Sequence, residues 1–268
     1  MRGMEKIFLM RGVEGLYHSN LSLSPVKGDE SIDVVTIAFN NARVIELHNE
    51  YVKKYLKGNV THIVVDNSTN MEASAKIREI CERGKVGYMR LHKNKMGVFS
   101  GSYNHATAVN WIYRHILKPR KAWGFGFIDH DIFPVREIDI AEVLREQPVY
   151  GAQRKRNGLW YLSAIISFYR TSFVEGKRFD FMPVTINGTY LDSGGGNWVT
   201  MYKDMDEKEL KFMENHTVNF KEGDNRHQDQ IELFDNEQWV HTINGSYWKK
   251  VDVVKENIME DLIRRYER

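Results

Sequence analysis

Asp129-His130-Asp131 follows directly on the apolar run Phe125 to Ile128 and precedes Pro134. Two carboxylates one residue apart at the mouth of a strand offer hard oxygen ligands, and Mg²⁺ or Mn²⁺ takes one or two such groups and completes its shell with substrate phosphates. Alone, the motif more often merely caps a turn or sits solvated. His130 reads as a spacer, because adjacent side chains diverge in extended chain. Three further stretches carry groups able to do chemistry. Leu191-Asp192-Ser193-Gly194-Gly195-Gly196-Asn197-Trp198 puts three glycines ahead of a helix-like segment, which suggests free amides meeting ligand oxygens, or simply a helix entry. His227-Gln228-Asp229-Gln230, ahead of Ile231, Leu233 and Phe234, reads as a polar helix start facing a cleft with an apolar face behind it. Val240-His241-Thr242-Ile243-Asn244-Gly245-Ser246-Tyr247-Trp248-Lys249 brings a histidine and a lysine near the C-terminus, although a lone histidine beside Trp239 also serves a core.

The elements that must position these groups are read from hydrophobic period. Asp33 to Phe39 is a nearly continuous β-branched run, as a strand buried on both faces reads, and it ends at Asn40-Asn41. Val44, Leu47, Tyr51, Tyr55 and Leu56 follow at helical spacing, and Thr61 to Val65 forms a second buried strand closing on Asp66-Asn67-Ser68. The pattern continues with a helix from Met71 to Arg83, a strand Val86 to Leu91, a helix Ser102 to Leu117 and a strand Trp123 to Ile128. This alternation predicts an α/β fold: a single doubly wound, mostly parallel sheet with helices on both faces. Ligands collect at the carboxyl ends of such strands, where Asp66 and Asp129 fall. Beyond Pro134 the alternation loosens into a helix near Ile138 to Glu146, strands near Val149 to Gln153 and Ser163 to Arg170, and a closing helix within Val253 to Arg265.

Composition narrows the function classes. In 268 residues, 42% are hydrophobic and 28% charged, which describes an ordered chain with a sizeable core. Lys plus Arg number 38 against 36 Asp plus Glu, a net charge of +2, so bulk attraction to nucleic acid is not expected. The single Cys81 excludes an internal disulfide and a cysteine zinc site, and a reducing cytoplasm fits it. The apolar run Ile7 to Met10 is too short for a signal segment and no stretch reaches bilayer length, so the expectation is a soluble protein whose membrane contact is at most peripheral. Lys118-Pro119-Arg120-Lys121 and Arg154-Lys155-Arg156-Asn157-Gly158 read first as solvated loops. The second runs into Leu159-Trp160-Tyr161, whose rings offer flat faces to a phosphate- or lipid-linked acceptor.

VVTIAFNN, HIVVDNST, LHKNKMGVFSGSYNHATAVN and GFGFIDHDIFPV, in that order over residues 32 to 135, resemble the successive landmarks of GT-A-fold glycosyltransferases, above all the family 2 group. The resemblance implies that the loop Ala38-Phe39-Asn40 packs around a nucleotide base, that Asp66 hydrogen-bonds the base, and that Asp129 and Asp131 hold a metal on the diphosphate. Asp131 is the direct ligand in this reading, and Asp129 meets the ribose or the metal's water. Asn94 and Asn104 match the segment preceding the metal motif, with Asn104 opening a helix over the nucleotide. Asp192 is then a candidate for sugar hydroxyls, and Asp229 a candidate base, although the usual Glu-Asp pair is absent. The late segment is similar to the His-Gly-Lys/Trp close of other GT-A families, which implies His241 as a metal ligand and Lys249 as a neutraliser of the diphosphate. His241 points to retaining chemistry and Asp229 to inverting chemistry, and both stay open.

The implied activity is a glycosyltransferase of the hexosyltransferase type, using Mn²⁺ or Mg²⁺ and a nucleotide-diphospho-sugar, a UDP-sugar favoured, with a saccharide or glycolipid hydroxyl as acceptor in polysaccharide or glycoconjugate synthesis. One domain is expected, residues 32–135 binding the nucleotide and 136–268 the sugar and acceptor. The alternatives are a non-catalytic carbohydrate- or nucleotide-sugar-binding relative and a sugar-phosphate nucleotidyltransferase. The latter wants a Gly-rich basic loop after the first strand, where Phe39-Asn40-Asn41 stands. A dinucleotide-binding dehydrogenase is disfavoured because Gly124-Phe125-Gly126 lies inside the fourth strand.

Overall fold

The computed structural model describes residues 20–26, 28–91, 101–220, 230–243 and 253–268, with the side chains of 253–257 excepted. Strand β1 (Ile32–Ala38) has every residue buried. The reason is its position: it pairs in parallel with β2 (Val60–Asp66) on one side and with β4 (Gly124–Ile128) on the other. Helix α1 (Ala42–Tyr55) enters at Asn41, whose side chain accepts from the Val44 amide at 3.2 Å, and it buries Val44, Ile45, His48, Tyr51, Val52 and Tyr55. Helix α2 (Met71–Gly84) is capped in the same way by Asn70 and ends on Lys85 in the left-handed region at φ 57°. Strand β3 (Gly87–Arg90) follows in parallel with β2, and helix α3 (Gly101–Ile112) continues through a π turn at Tyr113–Leu117 before β4.

The two faces of the sheet sort by alternation, as the strand period requires. Val35, Ile37, Ile63, Val65, Phe125 and Phe127 pack with Ala106, Val109 and Ile112 of α3, whereas Ala38, Val64 and Tyr88 pack with Ile45, Ile77 and Cys81 of α1 and α2. Helices therefore cover both faces, as expected. The order of the six-stranded sheet is β3-β2-β1-β4-β7-β6, with β7 (Leu159–Arg170) and β6 (Val149–Arg156) antiparallel at one side. Connections run outward from β1 to β3, then return across to β4, so the winding reverses between β1 and β4.

A second sheet, absent from the sequence reading, has the antiparallel order β10-β11-β12-β5. It comprises β5 (Ile132–Pro134), β10 (Asn215–Asn219), β11 (Gln230–Phe234) and β12 (Trp239–His241). Gln230 to Phe234 is thus a strand, not the apolar face of a helix. A short hairpin, β8 (Val184–Ile186) with β9 (Thr189–Leu191), leads to helix α5 (Gly196–Thr200). Helix α4 (Ile140–Glu146) precedes β6, and α6 (Val253–Arg264) closes the chain.

Both basic clusters keep most of their residues exposed, as expected, but neither is a plain loop. Arg120 is 5% exposed and makes a two-pronged ion pair with buried Asp33, Nε to Oδ2 at 2.7 Å and Nη2 to Oδ1 at 2.8 Å. Arg154, Lys155 and Arg156 belong to β6, and Asn157-Gly158, at φ 48° and 76°, is the two-residue turn of the β6–β7 hairpin. Trp160 presents no open face: it is 3% exposed and stacks on Tyr202 with ring centroids 4.7 Å apart.

Candidate functional site

The reversal between β1 and β4 opens the crevice at their carboxyl ends, and Asp129-His130-Asp131 is the turn that fills it. The Ile132 amide donates to the Asp129 carbonyl at 3.0 Å, closing the turn, and the Asp129 amide donates to the Ile165 carbonyl of β7 at 2.7 Å. His130 turns away from its neighbours as a spacer would: its Nδ1 donates to the Ile37 carbonyl of β1 at 3.0 Å. Strand β5 then starts at once and pairs with β12, with Ile132 opposite His241. Thr242 completes the junction, donating from its amide (2.9 Å) and its hydroxyl (3.2 Å) to the Asp131 carbonyl. The second sheet therefore delivers His241, 110 residues later in the chain, to the aspartate motif.

The His241 Nε2 stands 3.5 Å from Asp131 Oδ1, and its Nδ1 donates to Glu232 Oε2 at 3.0 Å. The imidazole is 12% exposed and the Asp131 side chain 9%. Burial pulls the imidazole's pKa down, but the charge and contact of Asp131 and the Glu232 hydrogen bond outweigh it and hold the ring up at about 9. Glu232 is pushed upward by burial and yet settles below the usual carboxylate value, through His241, Arg154 and the Asn215 amide. The pocket thus has a built preference for positive charge between Asp131 and Glu232.

A divalent cation suits this donor chemistry. Ligating histidines commonly donate their second ring nitrogen to a carboxylate, and Glu232 takes that part, leaving Nε2 directed at Asp131. Among the described residues no group of three or more His, Cys, Asp or Glu side chains could hold a metal ion. Asp131 and His241 offer two protein ligands, and a cation held there would need its remaining ligands from outside these side chains.

Asp129 faces the other way, toward α3. Its Oδ1 lies 3.1 Å from His105 Nε2, and that carboxylate outweighs the burial that pulls the imidazole's pKa down, raising it above its ordinary value. Both residues line a cavity of about 410 Å³ with Arg154, Arg156, Tyr161, Asp192 and Ser193. A cavity about twice as large, about 980 Å³, lies between α4 and the 210–215 segment, shares no lining residue with this one and holds none of the expected site residues.

The remaining expected residues divide. Asp192 lines the site cavity, its amide donating to the Tyr161 hydroxyl at 3.2 Å. Asn104 lies in the first turn of α3, next to His105. Ala38 ends β1, fully buried, and Phe39 is partly buried. Asn40, at φ 55°, stitches the loop after β1 to the loop after β2: its Oδ1 accepts from the Thr69 and Asn70 amides, both at 2.9 Å. Asp66 ends β2. Its carboxylate is 0% exposed and accepts from the Ser68 amide (2.9 Å), the Tyr88 hydroxyl (3.0 Å) and the Ser74 hydroxyl, bonds that hold the loop after β2. Asn94, Asp229 and Lys249 lie outside the described residues.

The three glycines correct the free-amide reading. Their amides are not free for a ligand: Gly194 donates to the Phe181 carbonyl (2.8 Å), Gly195 to Asp192 (2.8 Å) and Gly196 to Met182 (3.0 Å). The helix-entry reading holds, because α5 begins at Gly196. Two residues escaped the sequence reading altogether. Glu232 was hidden inside an apolar run, and His105 inside a helix whose neighbours Ala106, Val109 and Ile112 drew attention to packing. Nothing in the sequence marked Glu232: on a strand it points to the face opposite Ile231 and Leu233, and only the pairing of β11 with β12 sets it beside His241.

No family model and no curated protein matches the chain. Solved structures show a slight likeness. The mannosyltransferase PcManGT from Pyrobaculum calidifontis, in complex with GDP-Man and Mn²⁺, aligns at a TM-score of 0.40 and 12% identity over 65% of this chain and 54% of that one. The mannosyltransferase Ktr4p from S. cerevisiae aligns at 0.40 and 9% over 65% and 66%. The galactosyltransferase LgtC, in complex with donor and acceptor sugar analogs, aligns at 0.37 and 13% over 52% and 57%. All three are glycosyltransferases, and the match spans between 54% and 66% of their lengths.

Proposed function

We propose that this protein is a metal-dependent glycosyltransferase that moves a sugar from a nucleotide-diphospho-sugar to an acceptor hydroxyl. The observation that carries the reading is the meeting of Asp131 with His241, oriented by Glu232, at the point where the parallel sheet reverses. In this reading Asp131 and His241 hold the cation, and Asp129 meets the ribose or the metal's water. A bound divalent cation supplies stabilisation of the negative charge that gathers on a departing diphosphate. In the transfer, an acceptor oxygen bonds to the anomeric carbon, the bond from that carbon to the diphosphate oxygen breaks, and the nucleoside diphosphate leaves with the electron pair. The acceptor proton passes to a carboxylate, for which Asp229 is the candidate. Asp192, in the cavity wall beyond Asp129, takes sugar hydroxyls, and Lys249 meets the diphosphate. Ala38, Phe39, Asn40 and Asn104 frame the nucleotide side, and Asn94 belongs to the same group.

The test is release of nucleoside diphosphate from a panel of UDP-, GDP- and dTDP-sugars in Mn²⁺. Release from one donor class, abolished by EDTA and by Asp131→Ala, supports the reading. Release indifferent to both, or none from any donor with any saccharide added, removes it.

A further inference from the structure

Two residues that line the 410 Å³ cavity, Arg154 and Arg156, have no part in the transfer chemistry. Arg154 and Arg156 stand two residues apart on β6, hence on one face of the strand, and both line the cavity. They are differently satisfied. Arg154 lies 3.5 Å from Glu232, at the His241 end. Arg156, next to the Asn157-Gly158 turn, donates to the Tyr190 carbonyl at 3.4 Å and makes no ion pair among the described residues. Two residues of strand place it ~6.6 Å further out than Arg154, roughly the length of one sugar ring.

Facing it are groups suited to a saccharide. Asp192 is steadied by its own loop, its Oδ1 accepting from the Ser193 amide at 2.8 Å. Tyr190, whose hydroxyl donates to the same oxygen at 3.5 Å, is 43% exposed. A ring face, a carboxylate and a hydroxyl are what a sugar needs; an exposed guanidinium with no ion pair is able to grip an oxyanion in two-pronged fashion.

We propose that this cavity is the acceptor subsite and that Arg156 recognises an oxyanion, phosphate or carboxylate, carried by the acceptor saccharide. This rests on the glycosyl-transfer reading of the same site. The donor diphosphate is a poorer match for Arg156, because the aspartate motif and His241 lie at the inner end, on the Arg154 side.

The experiment is calorimetric titration of glucose 1-phosphate, glucuronic acid and neutral methyl glucoside into the full chain at low ionic strength, with nucleoside diphosphate titrations alongside. At least one anionic sugar should bind about tenfold more tightly than the neutral one, the phosphate or the carboxylate arm naming the source. Arg156→Gln should erase that advantage while nucleoside diphosphate affinity stays within about twofold. The proposal is overturned if none of the three binds, if neutral and anionic sugars bind alike, if the advantage survives Arg156→Gln, or if that variant loses nucleoside diphosphate affinity by the same factor. Failure of the transfer reading shows separately, as absence of nucleoside diphosphate binding by the wild-type protein.

Discussion

Gly194→Ala separates an architectural glycine segment from a ligand-binding one. Gly194 has φ +102°, and a Cβ built there would sit 2.2 Å from the Leu162 carbonyl oxygen of β7. That is more than an ångström inside ordinary contact, and the obstacle is backbone in the sheet, which does not swing aside as a side-chain tip does. Strained left-handed backbone costs ~1–3 kcal/mol. Overpacking against a fixed neighbour adds ~1–3 kcal/mol. The sum, about 2–6 kcal/mol, is a large share of the ~5–15 kcal/mol that holds a domain together. Gly188→Ala is the matched control: its φ is +81°, but nothing lies within 4 Å of the added methyl, so only the backbone penalty of ~1–2 kcal/mol applies. Urea unfolding followed by circular dichroism reads both midpoints. The reasoning predicts a clearly larger loss for Gly194→Ala. Equal losses would refute the steric account, and an undisturbed midpoint with lost nucleotide binding would return the glycine amides to a ligand role.

Other expectations follow from the same geometry. Glu232→Gln, which keeps the shape but removes the charge behind His241, should weaken Mn²⁺ affinity ~10- to 100-fold in a metal titration, and unchanged affinity would strip Glu232 of its orienting role. Arg120→Ala leaves Asp33 buried and unpaired and should cost ~3–5 kcal/mol in denaturant unfolding, whereas a loss under 1 kcal/mol would show that water reaches the aspartate. Glu267, near the C-terminus, is pushed upward by burial but held below its usual 4.5 by Lys54, Tyr55 and Tyr51. Its depressed pKa means that its contribution is fully present above pH 4.5 and is lost as pH falls through the lower folded value. Glu267→Gln should therefore flatten the acid side of the stability profile and leave its slope near neutrality alone; an unchanged acid limb would contradict this.

The half of the molecule that was legible is the half whose burial is two-sided. Asp33 to Phe39 and Thr61 to Val65 announce themselves because a central parallel strand has no solvent face on which to alternate. The aspartate motif's place at the carboxyl end of a strand was legible because the buried run Gly124–Ile128 stops at it; the strand order, and with it the reversal between β1 and β4, came only from the fold. The second sheet was not legible. β10 reads Asn215-His216-Thr217-Val218-Asn219, a largely exposed polar strand, and β12 is only three residues long. Ile231 and Phe234 stand three apart, a helical spacing, so a short strand with a buried glutamate imitated a helix face. Arg154 to Arg156 read as a loop from charge density, although Asn157-Gly158 carries a hairpin signal. Arg120 and Glu232 share one cause of misreading: a charge is solvated by default in sequence, and only the fold reveals its buried partner.

The central claim is that Asp131 and His241 hold a cation onto a nucleoside diphosphate. Calorimetric titration of UDP, GDP, CMP and dTDP into the wild-type protein and into Asp131→Ala, in Mn²⁺ and then in EDTA, tests it most directly. The account predicts that one nucleotide binds in Mn²⁺, that EDTA abolishes the binding, and that Asp131→Ala loses it while remaining folded. Binding that survives both EDTA and Asp131→Ala, or no binding of any nucleotide by the wild-type protein in Mn²⁺, would contradict it.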